Sequence, residues 1–299
     1  MSPERHRRLL LFTKPARQGR VKTRLIGDLT AAQAAELHAA FLGDLLARLA
    51  GGSFELQLAW ALEPGEPLPE GFWPGVGNLR QEGADLGDRL FGALAAAARD
   101  GAAVAALGSD HPTVEVELVE RAFAAVESGA DVALGPAEDG GYYLIALAAG
   151  AVRPRLFEGV PWSTGGVLAA TLARSEELGL AVELLPVAAD VDTPADLARL
   201  AARLAQSGQE GQEGPNCEGK NGEDRGRSDR GEPSASRAAN AAAGRAAPEC
   251  PRTRELLAAW KRLPAPRLAT PPAQEIGEPQ PPAPEAPLQQ ARAPEGSAG

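Results

Sequence analysis

The chain has 299 residues, 44% of them hydrophobic, a formal net charge of −10 and a pI near 5.0. An acidic balance of this size argues against nucleic acid as the main partner, and no apolar run approaches the roughly 18 residues that a membrane helix needs. Residues 206–299 hold 14 of the 26 prolines, both cysteines and one aromatic, Trp260.

A segment so rich in Gly, Pro, Ala, Glu and Ser buries too little apolar surface to offset its ordering entropy. It is expected to be a mostly disordered tail, with a short helix over 253–262 as its exception, and to be dispensable for folding. Residues 1–205 carry enough Leu, Ala and Val for one sizeable core. They also carry most of the net charge, 27 acids against 18 Lys and Arg. With cysteines only at 217 and 250, neither disulfides nor a cysteine metal site is expected to organise that core. The first apolar run, residues 9–12, is too short for an export signal, so a cytoplasmic protein is expected.

Strand-length apolar runs alternate with helical patterns. "RLLLFT" (8–13) reads as a buried strand. "TAAQAAELHAAFLGDLLARLA" (30–50) reads as a helix opened by a capping box of Thr30 with Gln33. "FELQLAW" (54–60) is a second strand, "DLGDRLFGALAAAARDG" (85–101) a second helix, and "AVAALG" (103–108) a third strand. "TVEVELVERAFAAVESG" (113–129) is a third helix with Thr113 as its cap. "DVALGP" (131–136) and "GYYLIAL" (141–147) are strands separated by "AEDGG". A helix over 167–178, the strand "AVELLP" (181–186) and a helix from Pro194 complete the domain. This alternation predicts a three-layer α/β sandwich whose mainly parallel sheet is covered on both faces by helices. Ligands bind such sheets beyond the carboxyl ends of the strands.

Five polar clusters fall where that rim should be. In "TKPARQGRVKTRL" (13–25), Lys14, Arg17, Arg20, Lys22 and Arg24 surround Gly19, a cationic loop suited to a phosphate chain. It matches neither a Walker loop nor a dinucleotide fingerprint, and a solvated basic loop is the plainer reading. In "QEGADLGDRL" (81–90), Gln81 could read a base edge and Gly83 and Gly87 could permit close backbone approach, while Asp85 could simply cap its helix. In "GSDHP", Asp110 ends a strand and suits a hard divalent cation, which takes carboxylate and phosphate oxygens. His111 is expected to be an exposed loop side chain. In "GPAEDGGYYLIAL", Asp139 could act as a base or bind an acceptor, against the alternative of an ordinary Asp-Gly hairpin turn. In "AADVDTPADL", Thr193, Pro194 and Asp196 make a good helix start. Asp190 and Asp192 are not needed for that start, and a second metal-binding carboxylate is their functional reading.

Taken together, "FTKPARQGRVKTRL", "QEGADLGDRL", "GSDHPT", "GPAEDGGYYLIAL", "PWSTGGV" and "DVDTPADL" resemble, in order and over about residues 7–205, the rSAM/selenodomain-associated transferase group. That group is described as GT-A-type glycosyltransferases and is similar to 2-phospholactate guanylyltransferases and molybdenum-cofactor nucleotidyltransferases. The resemblance implies a GT-A/nucleotidyltransferase-like fold over 1–205 and a nucleotide-binding set of Lys14, Gly19, Lys22, Thr23, Arg24, Gln81, Asp85 and Gly87. Asp110 and Asp139 would be catalytic, and Asp110 and Asp192 would bind Mg2+ or Mn2+. His111 departs from the small residue or cysteine expected there, and the long tail is a second departure.

The implied activity is transfer of a sugar from a nucleoside diphosphate sugar to a small acceptor. Transfer of a nucleotidyl group from a nucleoside triphosphate, with release of pyrophosphate, is the alternative. A third reading is a catalytically silent nucleotide sensor or scaffold, against which the carboxylates at 110, 190 and 192 count. Fold alone does not separate them.

Overall fold

The computed structural model of the chain describes residues 6–210 and 250–262. Apart from 206–210 and 250–262, the expected tail, Cys217 included, lies outside the described residues. In chain order the elements are β1 (Arg7–Thr13), α1 (Ala31–Leu49), β2 (Glu55–Trp60), β3 (Gly77–Arg80), α2 (Leu86–Ala97), β4 (Ala103–Gly108) and α3 (Val116–Glu127). There follow β5 (Val132–Pro136), β6 (Tyr142–Leu147), α4 (Val167–Glu177), β7 (Val182–Leu184), α5 (Pro194–Glu210) and α6 (Pro251–Arg262). Among the described residues no helix is long and apolar enough to cross a membrane.

The expected three-layer arrangement with a mainly parallel sheet is the one observed. Seven strands run in the order β3-β2-β1-β4-β6-β5-β7. β1 pairs in parallel with β2 and β4, β6 runs antiparallel to β4 and β5, and β7 is parallel to β5. Strand order reverses between β1 and β4, so the crevice beyond their carboxyl ends is a topological switch point.

The strands read as unbroken apolar runs because both sheet faces are covered. Leu9 and Leu11 enter the core under α1 and α3, while Leu10 between them enters the core under α2; all three are fully buried. β4 repeats the division, with Ala105 and Leu107 on one face and Val104 and Ala106 on the other. Truncating any of these leucines to Ala is expected to cost about 2–5 kcal/mol.

The start signals held in two places and failed in one. Thr30 Oγ1 accepts from the Gln33 N–H at 3.2 Å while Gln33 Oε1 accepts from the Thr30 N–H at 2.9 Å, a complete capping box. Thr193 and Asp196 make the same reciprocal pair at the start of α5, at 3.3 and 2.7 Å. Thr113 does not cap α3. The chain first turns through a Val114 N–H to His111 carbonyl bond of 3.2 Å, and Glu115 takes the cap position with no side-chain bond.

α6 occupies residues where a helix was expected, but it is not an isolated element of a tail. Its Leu256, Leu257 and Trp260 pack on a third apolar cluster of Leu25, Leu37, Phe41, Val191, Leu200, Leu204 and Cys250. Asp44 of α1 is buried and accepts the Arg252 and Thr253 N–H groups at 3.0 and 2.9 Å and the Thr253 hydroxyl at 2.6 Å. The Arg252 guanidinium lies 4.9 Å over the Trp73 ring. Cys250, fully buried, donates its thiol to the Pro112 carbonyl at 3.1 Å. The expectation that everything after 205 is dispensable therefore meets a physical objection, since this helix completes a core.

Candidate functional site

The carboxyl ends of β1 and β4 open into a cleft of about 990 Å³. Its floor is tied to the sheet by backbone bonds: the Ser109 N–H reaches the Phe12 carbonyl at 3.1 Å and the Ala61 N–H reaches the Thr13 carbonyl at 2.9 Å. All five of the sequence clusters and the "PWSTGGV" loop meet here. Of the expected residues, Lys14, Lys22, Thr23, Arg24, Gln81, Asp85, Asp110, Asp139 and Asp192 line the cleft, and Asp190 joins them; Gly19 and Gly87 do not. Gly19 makes a turn at φ 74°. A Cβ on Gly87 would lie 2.5 Å from Trp162 Nε1, so this glycine admits Trp162 against α2 rather than a ligand.

The basic loop after β1 divides into buried and exposed cations. The Lys22 side chain is 2% exposed, and its ammonium ion-pairs with Asp110 and donates to Asp192 Oδ1 at 3.1 Å and to the Val191 carbonyl at 2.9 Å. It sits 5.4 Å over the Phe41 ring, and its backbone is left-handed at φ 48°, a region a non-glycine residue enters at a cost. Arg24 is 73% exposed and reaches Asp192 Oδ2 only at 3.6 Å. Lys14, Thr23 and Arg20 are exposed on the cleft wall. α2 adds Arg89 to the cleft lining, its Nε donating to the Gly83 carbonyl at 3.2 Å.

Five aspartates face these cations. Asp110 is half exposed to the cleft; burial works to raise its carboxyl, but the Lys22 charge and hydrogen bond, with His38 and His111, hold it below the usual carboxylate range. Asp190 moves the other way, raised by burial and by the nearby charges of Asp192, Asp139 and Asp196. Asp139 Oδ1 accepts the Gly141 N–H at 2.8 Å, so the Asp-Gly hairpin turn exists and its aspartate still lines the cleft. Here Gly140 is required: it sits at φ 88°, and a Cβ would lie 2.2 Å from the Gly165 carbonyl oxygen. That close approach seats the 161–167 loop against the hairpin. Asp85 caps α2, accepting the Asp88 N–H at 2.9 Å, so the plainer reading of this residue is realised. Gln81 donates to the Ala59 and Thr13 carbonyls at 2.8 and 3.3 Å, which ties the ends of β2 and β1 together.

Two histidines depart from expectation. His111 is 6% exposed, not a solvated loop side chain. Its Nδ1 lies 3.1 Å from the Ala189 carbonyl and so carries the proton, and its ring packs 5.2 Å from Tyr143. With the Val191 N–H bonded to the Asp110 carbonyl at 3.2 Å, it locks the Asp110 loop to the Asp190–Asp192 loop. His38 of α1, absent from the sequence expectations, is buried on the cleft wall. Its Nε2 donates to the Lys14 carbonyl at 3.0 Å, and its buried Nδ1 has no hydrogen-bond partner among the described residues. Burial lowers the proton affinity of both rings. Nothing in "AELHAAF" marks His38, because it occupies a position on an apolar helix face.

The arrangement can hold an anion among the cations of the basic loop and Arg89 while carboxylates line the same cleft. Residues 45–164 match the family described as an uncharacterized protein conserved in bacteria, DUF2064. No curated protein matches the chain. A solved structure from Desulfovibrio desulfuricans G20, described as a candidate nucleotide-diphospho-sugar transferase, is similar at 35% identity and a TM-score of 0.63, over 67% of this chain and 87% of that one. More remote are a 4-diphosphocytidyl-2C-methyl-D-erythritol synthase, at 13% identity, a TM-score of 0.44 and 67% and 99% coverage, and a cytidylyltransferase from Leptospira borgpetersenii serovar Hardjo-bovis, at 13% identity, a TM-score of 0.43 and 68% and 86% coverage. At this identity and coverage the chain belongs to the family of the Desulfovibrio protein and has its fold, the GT-A/nucleotidyltransferase-like α/β sandwich.

Proposed function

We propose that the chain is a transferase that moves a sugar from a nucleoside diphosphate sugar to a small acceptor. The observation that carries this reading is the convergence, at the switch point, of the Lys14–Arg24 loop with Asp110, Asp190 and Asp192 on one rim of the cleft. The name of the Desulfovibrio relative supports the donor class, and the six ordered motifs support the finer placement in the rSAM/selenodomain-associated group.

Lys14, Arg20, Arg24 and Arg89 supply the positive field for the donor's diphosphate. The Gly19 turn and the Thr23 carbonyl, which accepts the Ile26 N–H at 3.1 Å, shape that loop. Asp190, whose proton affinity is raised, is the better placed base of the rim; Asp139, the base expected from sequence, helps to raise it. The acceptor hydroxyl gives its proton to the Asp190 carboxylate, its oxygen bonds to the anomeric carbon, and the bond from that carbon to the diphosphate breaks with the electron pair.

The residues present fit a divalent cation of the oxygen-seeking kind. Asp110 and Asp192 already converge on one cation, Lys22 Nζ. Among the described residues no group of three or more His, Cys, Asp or Glu forms a metal cage, so two carboxylates completed by donor phosphates and water are the set that suits Mg2+ or Mn2+. Such an ion, held by Asp110 and Asp192, would neutralise charge on the departing diphosphate.

A thermal-shift screen of nucleotides and nucleotide sugars, with and without Mg2+, tests the reading, followed by product analysis on the ligand that binds. Release of a nucleoside diphosphate together with a glycosylated acceptor is expected. Release of pyrophosphate instead would establish nucleotidyl transfer, and binding without turnover across an acceptor panel would leave a sensor.

A further inference from the structure

The Lys22 ammonium occupies a place that its neighbours in the same loop do not. Its side chain is 2% exposed, while that of Arg24 is 73% exposed. Two carboxylates from different loops, Asp110 after β4 and Asp192 before α5, both reach this one nitrogen, which also donates to the Val191 carbonyl. The left-handed backbone at Lys22 and the Phe41 ring beneath the ammonium fix it there. These are the carboxylates that the proposed function gives to the metal, so the inference rests on that reading.

An ammonium and a divalent cation cannot share the space between two carboxylate oxygens. While Lys22 is there, the pair of carboxylates is half neutralised and the Oδ1 of each is engaged. If a divalent ion takes them, the ammonium loses both partners inside a buried wall and must find another anion. A donor's diphosphate, drawn in by Lys14, Arg20, Arg24 and Arg89, is an anion of the right class.

We infer that Lys22 is a built-in counter-ion that competes with the metal for Asp110 and Asp192, and that donor phosphates relieve the competition by giving its ammonium a new partner. The metal alone binds weakly, the metal and the nucleotide bind with positive cooperativity, and by linkage each strengthens the other by the same factor. The metal enters as its nucleotide complex.

The test is titration of free Mn2+ by electron paramagnetic resonance against the full chain, with and without a nucleoside diphosphate found by thermal shift. For wild type, the nucleotide should tighten Mn2+ binding at least tenfold. Lys22→Met, which keeps the aliphatic length, should bind Mn2+ at least tenfold more tightly than wild type without nucleotide and should lose most of the nucleotide's effect. Lys22→Gln, which retains a donor for the Val191 carbonyl, should do the same if the methionine variant melts early. Mn2+ affinity in both variants equal to or below that of wild type would overturn the counter-ion role. If Asp110→Asn in the Lys22→Met background leaves Mn2+ affinity unchanged, the metal assignment itself falls, and the counter-ion role falls with it.

Discussion

The two ends of the same strands treat the same charged residues in opposite ways. At the amino end of β1, Arg7 donates to both Glu127 oxygens at 2.7 and 2.5 Å and to Glu120 at 2.5 Å. Arg8 donates to both Asp100 oxygens at 2.7 and 2.6 Å and to Glu55 at 2.9 Å. These are forked, charge-assisted pairs, and the Arg8 hydrogen bonds hold Asp100 at about 2. Five residues beyond the last of those arginines the strand ends in the cleft, where charges are crowded but unevenly matched. Asp190 is pushed up by its neighbours, Arg24 only grazes Asp192, and two neutral histidines are buried against the wall. One end has its charges arranged for stability, and the other keeps them available.

The sharpest way to break this contrast is Asp110→Asn, which preserves shape and removes the charge. Turnover should fall by at least about a hundredfold, equivalent to roughly 3 kcal/mol of activation free energy, while the midpoint of urea unfolding moves little. Near-normal turnover with an unchanged Mg2+ dependence would place the chemistry elsewhere.

Acidification should find the cleft end first. Burial holds His38 and His111 below the ordinary histidine range, so below about pH 6.5 the unfolded chain takes up protons that the folded chain refuses. Stability is full above that value and falls as pH drops, by up to about 1.4 kcal/mol per pH unit for each histidine. Asp190, raised in the fold, works in the opposite direction as its own range is approached. Asp100 at the other end contributes above about pH 3.9 and loses its contribution only as pH falls through about 2. Urea unfolding at pH 7.5 and 5.5 checks this, and a flat profile would contradict neutral, buried histidines.

Arg7→Met should do the reverse of Asp110→Asn. It leaves Glu120 and Glu127 without their shared partner and should cost about 1–2 kcal/mol, solvent screening of the partly exposed pair limiting the loss, with turnover unchanged. The smallest effect on stability is expected for Asp190→Asn. Removing a carboxylate that repels Asp192 and Asp139 should raise stability at neutral pH by about 0.5 kcal/mol, read as a small rise in Tm, while turnover drops; a fall in Tm would mean the repulsion is already relieved.

Much of the fold was legible because it rests on period and alternation. Leu9, Leu10 and Leu11 announce a strand buried on both faces, and Thr30 with Gln33 announces the start of α1. β3 escaped, since "GNLR" is a four-residue edge strand with no apolar run. The site was legible as a set of places, namely the loop after β1, Asp110, the Asp-Gly hairpin and the 190–192 segment. It was not legible as a set of roles. Sequence does not show which lysine of the basic loop is buried, and Lys14 and Lys22 look alike until Asp192, 170 positions later, closes on one of them. His38, His111 and the partners of Gly87 were hidden for the same reason, because each is defined by a contact made across the fold.

The cap of α6 has a kinetic meaning. A helix normally carries its own start signal within a few residues, whereas α6 borrows Asp44 from 209 positions away, and twelve residues alone make a marginal helix in water. Its formation and its docking are therefore one event. Contacts so distant in sequence raise the contact order and slow the closing of this part of the core. During synthesis, Leu37 and Phe41 must wait, uncovered by α6, until the ribosome has passed residue 262, and a chain that stops sooner keeps that apolar surface open behind the wall on which Lys22 rests.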